Sequence, residues 1–276
     1  MLEFSKMHGC GNSFVVIEDL RSKIRNAPAL ARELCDYRKG IGADGLILAR
    51  PSRRFDFTMA YFNGDGSRAE MCGNGIRCLA KFLADRGKLP SGTAIIETGA
   101  GPILVRLIGK NRAERAEVLV DMGRPAFSSR DLNQRGDGPF TALQVGKERF
   151  TFVSMGNPHA VCFVPKAPSD LATAGARVEN YRKLFPNKIN VEYVTVLGKQ
   201  DIRVRVWERG CGITAACGTG ACASVVAAHL NAKIGAGPTR VRLDGGDLTI
   251  TWRESDRHLL MQGEAVLVAA GRLIGT

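Results

Sequence analysis

Two cysteines occupy equivalent positions in a sequence that contains an internal repeat. Residues 61–88 align without a gap with residues 206–233 at an offset of 145, and the two segments read YFNGDGSRAEMCGNGIRCLAKFLADRGK and VWERGCGITAACGTGACASVVAAHLNAK. The alignment places Cys72 on Cys217, each in a Gly-rich turn directly before an apolar segment expected to be helical. The N-terminus of a helix favours a thiolate and binds anions, so both positions suit acid–base chemistry at sulfur.

Each thiol needs a neighbouring side chain to reach a catalytic protonation state. A helix dipole contributes ~0.3–1 kcal/mol, less than one pKa unit, so the dipole alone leaves most of a thiol protonated at neutral pH. The repeat extends to Asn157, which aligns with Asn12 at the same offset. His159, two residues after Asn157, and Glu208, nine residues before Cys217, are therefore the candidate partners.

The two cysteine turns suit proton transfer at a stereocentre. Two thiols that face one another across a cleft can remove an α-proton from one side of a carbon and deliver a proton to the other side. Two helix N-termini can hold the carboxylate next to that carbon. Inversion of configuration follows from this geometry, so the sequence predicts a racemase or an epimerase.

The composition is typical of a soluble cytosolic protein with two domains. The chain has 276 residues, and no apolar run approaches the roughly 18 residues of a membrane helix. Its start, MLEFSKMHGCG, lacks the apolar core of a signal peptide, so we expect a cytoplasmic protein whose eight cysteines are free thiols. The net charge of +12 comes from scattered Lys and Arg residues without an aromatic platform, which argues against a nucleic-acid partner.

The repeat also predicts the architecture. Each copy has many strand-like segments and one core helix directly after its cysteine, which favours an α+β fold with strands wrapped around a helix. The copies predict two pseudo-twofold-related domains, the first comprising residues 1–118 plus 264–276 and the second residues 119–263. The C-terminal strand has no counterpart in the second copy and is expected to return to the first domain. Residues 166–187 depart from the repeat, as a connection rich in Pro, Ser, Asp and charged residues.

Six motifs cover nearly the whole length of the chain. They are HGCGNSF at residues 8–14, GIGADG at 40–45, FNGDGSRAEMCGNGIRC at 62–78, MGNPHAV at 155–161, NVEYV at 190–194 and WERGCGITAACGTGACA at 207–223. Together they resemble the diaminopimelate epimerase family, and the pairing of CGNG with CGTG is more specific than either motif alone. The resemblance implies an isomerase that interconverts LL- and meso-diaminopimelate in the lysine and peptidoglycan pathway.

The resemblance implies roles for residues of both copies. Cys72 and Cys217 would exchange the proton, and His159 and Glu208 would assist proton transfer to and from the thiols. The backbone N–H groups implied to hold the reacting carboxylate follow each cysteine, at Gly73, Asn74, Gly218 and Thr219. The residues implied to bind the distal amino acid end of the substrate are Asn12, Asn63, Asn157, Asn190, Glu208 and Arg209.

The resemblance also implies properties of the whole protein. These are catalysis without a cofactor or a metal, a strand barrel around a helix in each domain, a cleft that closes over substrate, and a homodimer. Three positions depart from the family pattern: Ser13 where relatives carry Asp, Gly45 where some carry Gln, and Ile213 where relatives carry Glu or Leu. The departures concern substrate contacts and leave the thiol chemistry unchanged.

Two other functions fit parts of the sequence. A two-cysteine isomerase of another substrate, such as a proline-type racemase, would need no distal contacts from Asn63, Asn190 and Arg209. A zinc-stabilised nucleic-acid-binding module would use a four-cysteine site. Cys211 lies six residues before Cys217, as Cys72 lies six before Cys78, although this spacing is wider than that of a zinc knuckle. The other cysteines are expected to be core or surface thiols, and they are Cys10, Cys35, Cys78, Cys162 and Cys222.

Overall fold

The chain divides into two units. The computed structural model describes residues 2–128, 132 and 138–274. Unit 1 comprises Met1–Asp121 with Gln262–Thr276, and unit 2 comprises Met122–Met261. These limits lie close to the boundaries expected from the repeat, and the assignment of two domains stays a prediction. Within the described residues, every helix is too short or too polar to span a membrane.

Unit 1 is a ring of strands with one helix packed against its inner side. Its elements are β1 (Glu3–Gly9), β2 (Asn12–Glu18), α1 (Ala27–Cys35), β3 (Gly45–Arg50), β4 (Phe57–Asn63), β5 (Arg68–Ala69), α2 (Gly73–Asp85), β6 (Thr93–Thr98), β7 (Gly101–Ile108), β8 (Arg115–Asp121) and the larger part of β17 (Leu259–Arg272). Strand pairing runs β1, β2, β3, β4, β6, β7, β8, β17 and back to β1, which closes the ring. Closure leaves no unpaired sheet edge in the ring.

Unit 2 repeats this order of elements. It contains β9 (Leu143–Val145), β10 (Glu148–Ser154), β11 (Pro158–Phe163), α3 (Leu171–Glu179), β12 (Asn190–Gly198), β13 (Asp201–Glu208), β14 (Gly212–Thr214), α4 (Gly218–Leu230), β15 (Thr239–Leu243) and β16 (Gly246–Trp252). β11 pairs in parallel with β12, as β2 does with β3 in unit 1. β13 pairs in parallel with β15, as β4 does with β6.

One helix forms the centre of each unit. α2 packs against β1, β2, β3, β7 and β8, and α4 packs against β10, β11, β12, β13, β15 and β16. The residues of α4 from Gly220 to Ala228 are all buried, which explains why this segment is apolar on every side rather than amphipathic. The predicted α+β class, with strands wrapped around a core helix, is confirmed.

Two predictions about connections have different outcomes. The C-terminal strand pairs antiparallel with β1, with Val266 opposite His8 and Ala270 opposite Ser5, so its predicted return to the first half is confirmed. In contrast, residues 166–187 do not depart from the repeat throughout, because they contain α3, the counterpart of α1. The Asp170 carboxylate caps α3 by accepting a hydrogen bond from the Thr173 N–H at 3.0 Å, a signal that was present in the sequence.

Candidate active site

Both predicted thiols lie directly before the central helices. Cys72 is the N-cap of α2 and Cys217 is the N-cap of α4, with backbone angles of φ −140°, ψ 119° and φ −125°, ψ 115°. The chain is extended at the cysteine and enters the helix at the next residue. The N–H groups of the first helical turn have no i−4 carbonyl within the helix to bond to. Each cysteine therefore lies beside backbone donors that suit an anion.

Tight turns present an asparagine beside each helix. Asn12 begins β2 after a two-residue turn in which Cys10 and Gly11 have φ of 50° and 77°. Positive φ at both central residues fits the right-handed twist of a hairpin and requires little side-chain bulk at the second residue. Asn157 follows Gly156, which has φ of 89°, in the matching turn before β11.

The first half-site is the group Cys72, Asn12, Asn74 and Arg77 in unit 1. The Cys72 thiol donates to the Asn12 side-chain oxygen at 3.4 Å, and the Asn74 amide lies 3.5 Å from the same atom. The Asn12 amide nitrogen donates to the Asp44 carboxylate at 2.8 Å, which fixes the amide with its oxygen towards the thiol. The structure thus places Asn12 and Asn74, two of the residues named from the resemblance, beside Cys72.

A buried arginine supports the first half-site. Arg77 is fully buried in α2, and its guanidinium donates to the Asn74 side-chain oxygen at 3.0 Å and to the Gly73 carbonyl at 3.2 Å. It also donates to the backbone carbonyl of Glu264 at 3.3 Å, on the returning C-terminal strand. Sequence reasoning missed Arg77, although a charged residue on the buried face of a helix is a signal that it has a specific partner.

The second half-site is the group Cys217, Thr219, Asn157, His159 and Glu192 in unit 2. The Cys217 sulfur accepts a hydrogen bond from the Gly220 N–H at 3.3 Å and lies 3.4 Å from the Thr219 hydroxyl. The Asn157 amide nitrogen donates to that hydroxyl at 3.3 Å. Thr219 therefore contacts the sulfur, and Asn157 contacts Thr219. Both residues were named as site residues from the sequence.

A buried acid behind His159 was missed by the sequence analysis. His159 Nδ1 lies 2.7 Å from a Glu192 carboxylate oxygen, His159 Nε2 lies 3.0 Å from the Asn157 side-chain oxygen, and both His159 and Glu192 are fully buried. Parallel pairing of β11 with β12 brings the two residues together, since His159 is opposite Asn190 in the register. The motif NVEYV shows an acid inside an apolar strand, which could have indicated a buried partner.

The environment of Cys217 keeps its thiol protonated in the free protein. Burial raises the pKa of the Cys217 thiol well above its ordinary value, and the nearby Glu208 and Glu192 carboxylates raise it further. Hydrogen bonds from Thr219 and the Gly220 N–H act in the opposite direction by stabilising the thiolate. Burial likewise raises the pKa of the Glu192 carboxyl, and the interaction with His159 acts in the opposite direction.

The residues predicted to bind the distal end have varied surroundings. The Glu208 carboxylate accepts from the Thr214 hydroxyl at 2.6 Å. The Asn190 side chain bonds to backbone at both ends, donating to the Pro158 carbonyl at 2.8 Å and accepting from the Arg209 N–H at 2.9 Å. Asn190 therefore positions the turn that carries Arg209, whose own side chain is exposed.

Asn63 ends β4, and the three departures from the family pattern lie in β2, β3 and β14. The Asn63 amide donates to the Ser67 hydroxyl at 2.9 Å. Ser13 accepts from the Lys6 ammonium group at 3.0 Å. At Gly45, an added Cβ would lie 2.5 Å from the Tyr61 ring and 2.7 Å from the Phe62 carbonyl, so a larger side chain needs a different packing here. Ile213 is 48% exposed.

The structure gives the zinc alternative no ligand set in the described part of the chain. Between residues 2 and 274, omitting 129–131 and 133–137, no group of three or more His, Cys, Asp or Glu side chains is arranged to hold a metal ion. Cys211 is exposed and Cys217 is buried, and neither is in a disulfide bond.

Comparison with known families and curated proteins gives a consistent result. The family model described as "Diaminopimelate epimerase" matches residues 4–128 and 151–268. Among similar curated proteins, the diaminopimelate epimerase of Phocaeicola vulgatus is 44% identical over 277 residues, covering 99% of this chain and 98% of that protein. Those of Acetivibrio thermocellus and Methanococcus maripaludis are each 41% identical over 278 residues, with 99% of this chain covered and 98% and 99% of theirs.

Solved structures share the fold at low sequence identity. A hydroxyproline epimerase from Agrobacterium vitis has a TM-score of 0.70 and 15% identity, covering 99% of this chain and 90% of that chain. A phenazine biosynthesis protein of the PhzF family from Bacillus anthracis has a TM-score of 0.71 and 17% identity, covering 99% of both. At these identities the similarity supports the fold alone.

Proposed function

This chain belongs to the diaminopimelate epimerase family, and we propose that it interconverts LL- and meso-diaminopimelate by moving a proton at the α-carbon between two thiols. The observation that carries the proposal is the matched pair Cys72 and Cys217, each the N-cap of a central helix in a chain of this family. Lysine and peptidoglycan precursor biosynthesis is the pathway that uses this reaction.

The proposed reaction has one proton leaving and one arriving. A thiolate on one face of the α-carbon takes the α-proton, which breaks the C–H bond and forms an S–H bond. The other thiol, on the opposite face, donates its proton to the resulting carbanion, so configuration inverts and the two sulfurs exchange protonation states. The reverse reaction uses the same groups in opposite roles.

Backbone donors and side chains would support this step. The N–H groups of Gly73, Asn74, Gly218 and Thr219 would hold the α-carboxylate and stabilise the negative charge that spreads into it from the carbanion. His159 and Glu208 would assist proton transfer at the thiols. The high pKa of Cys217 in the free protein keeps its thiol protonated, as a proton donor must be. Before Cys217 acts as a base, the negative charge of the nearby Glu208 and Glu192 carboxylates would need to be neutralised when substrate binds.

The distal amino acid group of diaminopimelate would be bound by polar side chains. These are Asn12, Asn63, Asn157, Asn190, Glu208 and Arg209. Arg209 has an exposed guanidinium that can form a bidentate pair with a carboxylate, and Asn190 holds its backbone N–H at 2.9 Å. A site of this kind rejects amino acids without a distal end, because its polar groups would then be desolvated without partners.

We further propose a cytoplasmic homodimer that works without an added cofactor or metal. The support is the family membership and the cysteines of the described residues, which are not joined in disulfide bonds and so fit a reducing compartment. The partner of the reaction is a small molecule, and the scattered basic residues give no reason to invoke nucleic acid.

Proton exchange tests the proposal directly. The purified protein, without pyridoxal phosphate, is mixed with LL-diaminopimelate in heavy water, and loss of the α-proton signal and growth of the meso isomer are followed by NMR. We expect both changes in the unmodified protein. Loss of epimerisation is expected in Cys72→Ala and in Cys217→Ala.

The matched control is Cys162→Ala, which removes a buried cysteine from the face of β11 opposite His159. Its turnover per folded molecule should equal that of the unmodified protein. Turnover of proline without turnover of diaminopimelate would replace the proposal with a proline-type racemase, and unchanged epimerisation by Cys217→Ala would overturn the two-thiol mechanism.

A further inference from the structure

A buried carboxylate holds the turn that carries Arg209. Glu179, the last residue of α3, has a side chain that is 5% exposed. One of its carboxylate oxygens accepts from the Gly210 N–H at 3.0 Å and lies 3.1 Å from the Lys188 ammonium nitrogen, and the other accepts from the Trp207 indole N–H at 2.8 Å. Three donors therefore surround one acid at the end of a helix.

The direction of these three hydrogen bonds is fixed by the chemistry of the partners. A backbone N–H, an indole N–H and a lysine ammonium group each donate and do not accept. Burial raises the pKa of the Glu179 carboxyl, but the hydrogen bonds from its three partners together bring that pKa below its ordinary value. Glu179 is therefore an ionised acceptor at neutral pH.

Two of the donors flank the residues proposed to bind the distal end of the substrate. Trp207 precedes Glu208 and Arg209, and Gly210 follows them, where β13 turns into β14. Gly210 has φ of 78°, a left-handed conformation that favours glycine. α3 packs against both strands, so Glu179 holds the end of β13 and the turn from the same side.

The third donor belongs to the segment that carries Asn190. Lys188 lies two residues before Asn190 and has φ of 61°, an uncommon conformation for a residue other than glycine. Its ammonium group contacts the same Glu179 oxygen as the Gly210 N–H. The Asn190 side chain accepts from the Arg209 N–H at 2.9 Å. The two segments are thus joined through Glu179 and again through Asn190.

We propose that Glu179 is a positioning residue that orders the turn of Glu208 and Arg209 for binding the distal amino acid group of diaminopimelate. The role rests on the proposed function and deepens it, because it assigns the geometry of the distal end to a buried side chain behind the turn. Ordering the turn before substrate arrives lowers the entropy that binding would otherwise cost.

Unit 1 has smaller or apolar residues in place of this acid and its indole donor. Alignment of α1 with α3 from their N-caps places Cys35 at the position of Glu179. The offset of 145 places Phe62 at the position of Trp207. The acid and the indole donor therefore belong to the half of the chain that carries Arg209.

The test compares variants in a background without the indole donor. Trp207→Phe keeps an aromatic ring and the Glu179 bonds to Gly210 and Lys188, so the KM for LL-diaminopimelate should stay within about twofold of normal. Adding Glu179→Leu removes the carboxylate without leaving an indole N–H unpaired. The KM should then rise at least about tenfold, and by more than kcat falls, because the groups that bind the distal end are no longer held in place.

Glu179→Gln in the same background separates position from charge. Its amide oxygen can still accept from the Gly210 N–H and from Lys188, and its NH2 group then faces a phenyl ring instead of a competing donor. A positioning role predicts a KM within about threefold of the Trp207→Phe value, whereas a role of negative charge alone predicts the KM of the Glu179→Leu variant.

Amide hydrogen exchange reports on the turn without substrate. Exchange of the Gly210 N–H, followed by NMR, should be about tenfold faster with Glu179→Leu than with Trp207→Phe alone, and Glu179→Gln should restore the protection. A purely structural contribution would instead speed exchange throughout unit 2. It would leave KM unchanged, since KM does not depend on the fraction of the protein that is folded.

The outcomes separate this role from the proposed function. An unchanged KM with Glu179→Leu, or an equal rise with Glu179→Gln, overturns the positioning role even though diaminopimelate is epimerised. If Glu179→Leu does not fold in this background, Glu179→Asp takes its place, since a carboxylate one methylene shorter keeps the charge and loses the contact with Gly210, and it should raise KM in the same way. Absence of epimerisation by the unmodified protein overturns the proposed function and this role together.

Discussion

The two half-sites share a backbone and differ in what lies behind the sulfur. Each has a cysteine N-cap, a glycine-rich first turn and an asparagine from the preceding hairpin. Behind Cys217 lies the polar pair His159 and Glu192, whereas the same positions in unit 1 hold the apolar Phe14 and Ile47. The repeat therefore keeps the backbone geometry proposed to bind a carboxylate and varies the side chains behind each thiol.

Charge enters the two half-sites at different places. Unit 1 has the buried Arg77 within α2, and its counterpart in α4 is Cys222, also buried. In unit 2 the buried ionisable groups, His159 and Glu192, lie on two strands instead. A cation under the first half-site and an acid–imidazole pair under the second give the two thiols unlike environments, which suits a reaction that needs one donor and one acceptor at a time.

The largest effect is expected from giving unit 2 the apolar pair of unit 1. His159→Phe alone leaves Glu192 buried without its partner and should lower the free energy of unfolding by about 3–5 kcal/mol. The double variant with Glu192→Ile should recover most of that loss, since an apolar pair of similar volume replaces a buried polar pair. Epimerisation should stay at least about 100-fold below normal in both. Urea unfolding and NMR turnover measure the two quantities.

The single and double variants can contradict this comparison of the two half-sites in two ways. If the double variant is as unstable as His159→Phe, then the pockets behind the two sulfurs differ in shape and not only in polarity. If the double variant epimerises at the normal rate, the polar pair has no part in the chemistry.

A smaller effect is expected from removing the cation of unit 1. Arg77→Met keeps much of the buried stem but leaves the Asn74 oxygen and the Gly73 carbonyl without their guanidinium donors. Loss of these buried hydrogen bonds should lower the free energy of unfolding by about 2 kcal/mol in urea unfolding. Cys222→Ala, at the matching position of α4, should lower it by about 1 kcal/mol, because it shortens a small buried side chain and removes no guanidinium. Equal losses at the two positions would show that Arg77 contributes packing alone.

The repeat made much of this arrangement predictable from the sequence. The offset of 145 predicts the two central helices, and the missing counterpart of the last strand predicts its pairing with β1. The pair His159 and Glu192 was not predictable in the same way, since it depends on parallel register between β11 and β12. Asn190 shows another limit, because a sequence motif does not reveal that both ends of an amide bond to backbone.

Equivalent glycines offer a finer test of the difference between the pockets. An added Cβ at Gly220 would lie 2.6 Å from the Glu192 carboxylate oxygen, which is held by His159, whereas at Gly75 it would lie 2.8 Å from the terminal methyl of Ile47. A terminal methyl can move at little cost, and alanine gains about 1 kcal/mol of helix propensity over glycine. Gly75→Ala should therefore be nearly neutral in unfolding, and Gly220→Ala should cost about 1–2 kcal/mol.

Activity should separate the same two variants. Gly220→Ala displaces the carboxylate from His159 and should lower the epimerisation rate about tenfold, as expected for a misplaced acid–base group. Gly75→Ala should retain most of the rate. Equal loss of rate in both variants would indicate that helix backbone position, rather than the Glu192 contact, limits the reaction.

The smallest effect concerns the core of unit 1 at alkaline pH. Burial raises the pKa of Cys78 from its ordinary 9.0 to about 12, and its counterpart in α4 is Ala223. The unfolded chain loses this proton first, so the contribution to stability is complete below pH 9 and decreases as the pH rises towards 12. Between pH 8 and pH 10 the loss should be about 1 kcal/mol, and Cys78→Ala should remove it. Urea unfolding of both proteins at the two pH values, with reductant present, gives this difference. Parallel decreases in the two proteins would mean that Cys78 ionises equally easily in the folded and unfolded chains, and that the alkaline sensitivity has its origin elsewhere.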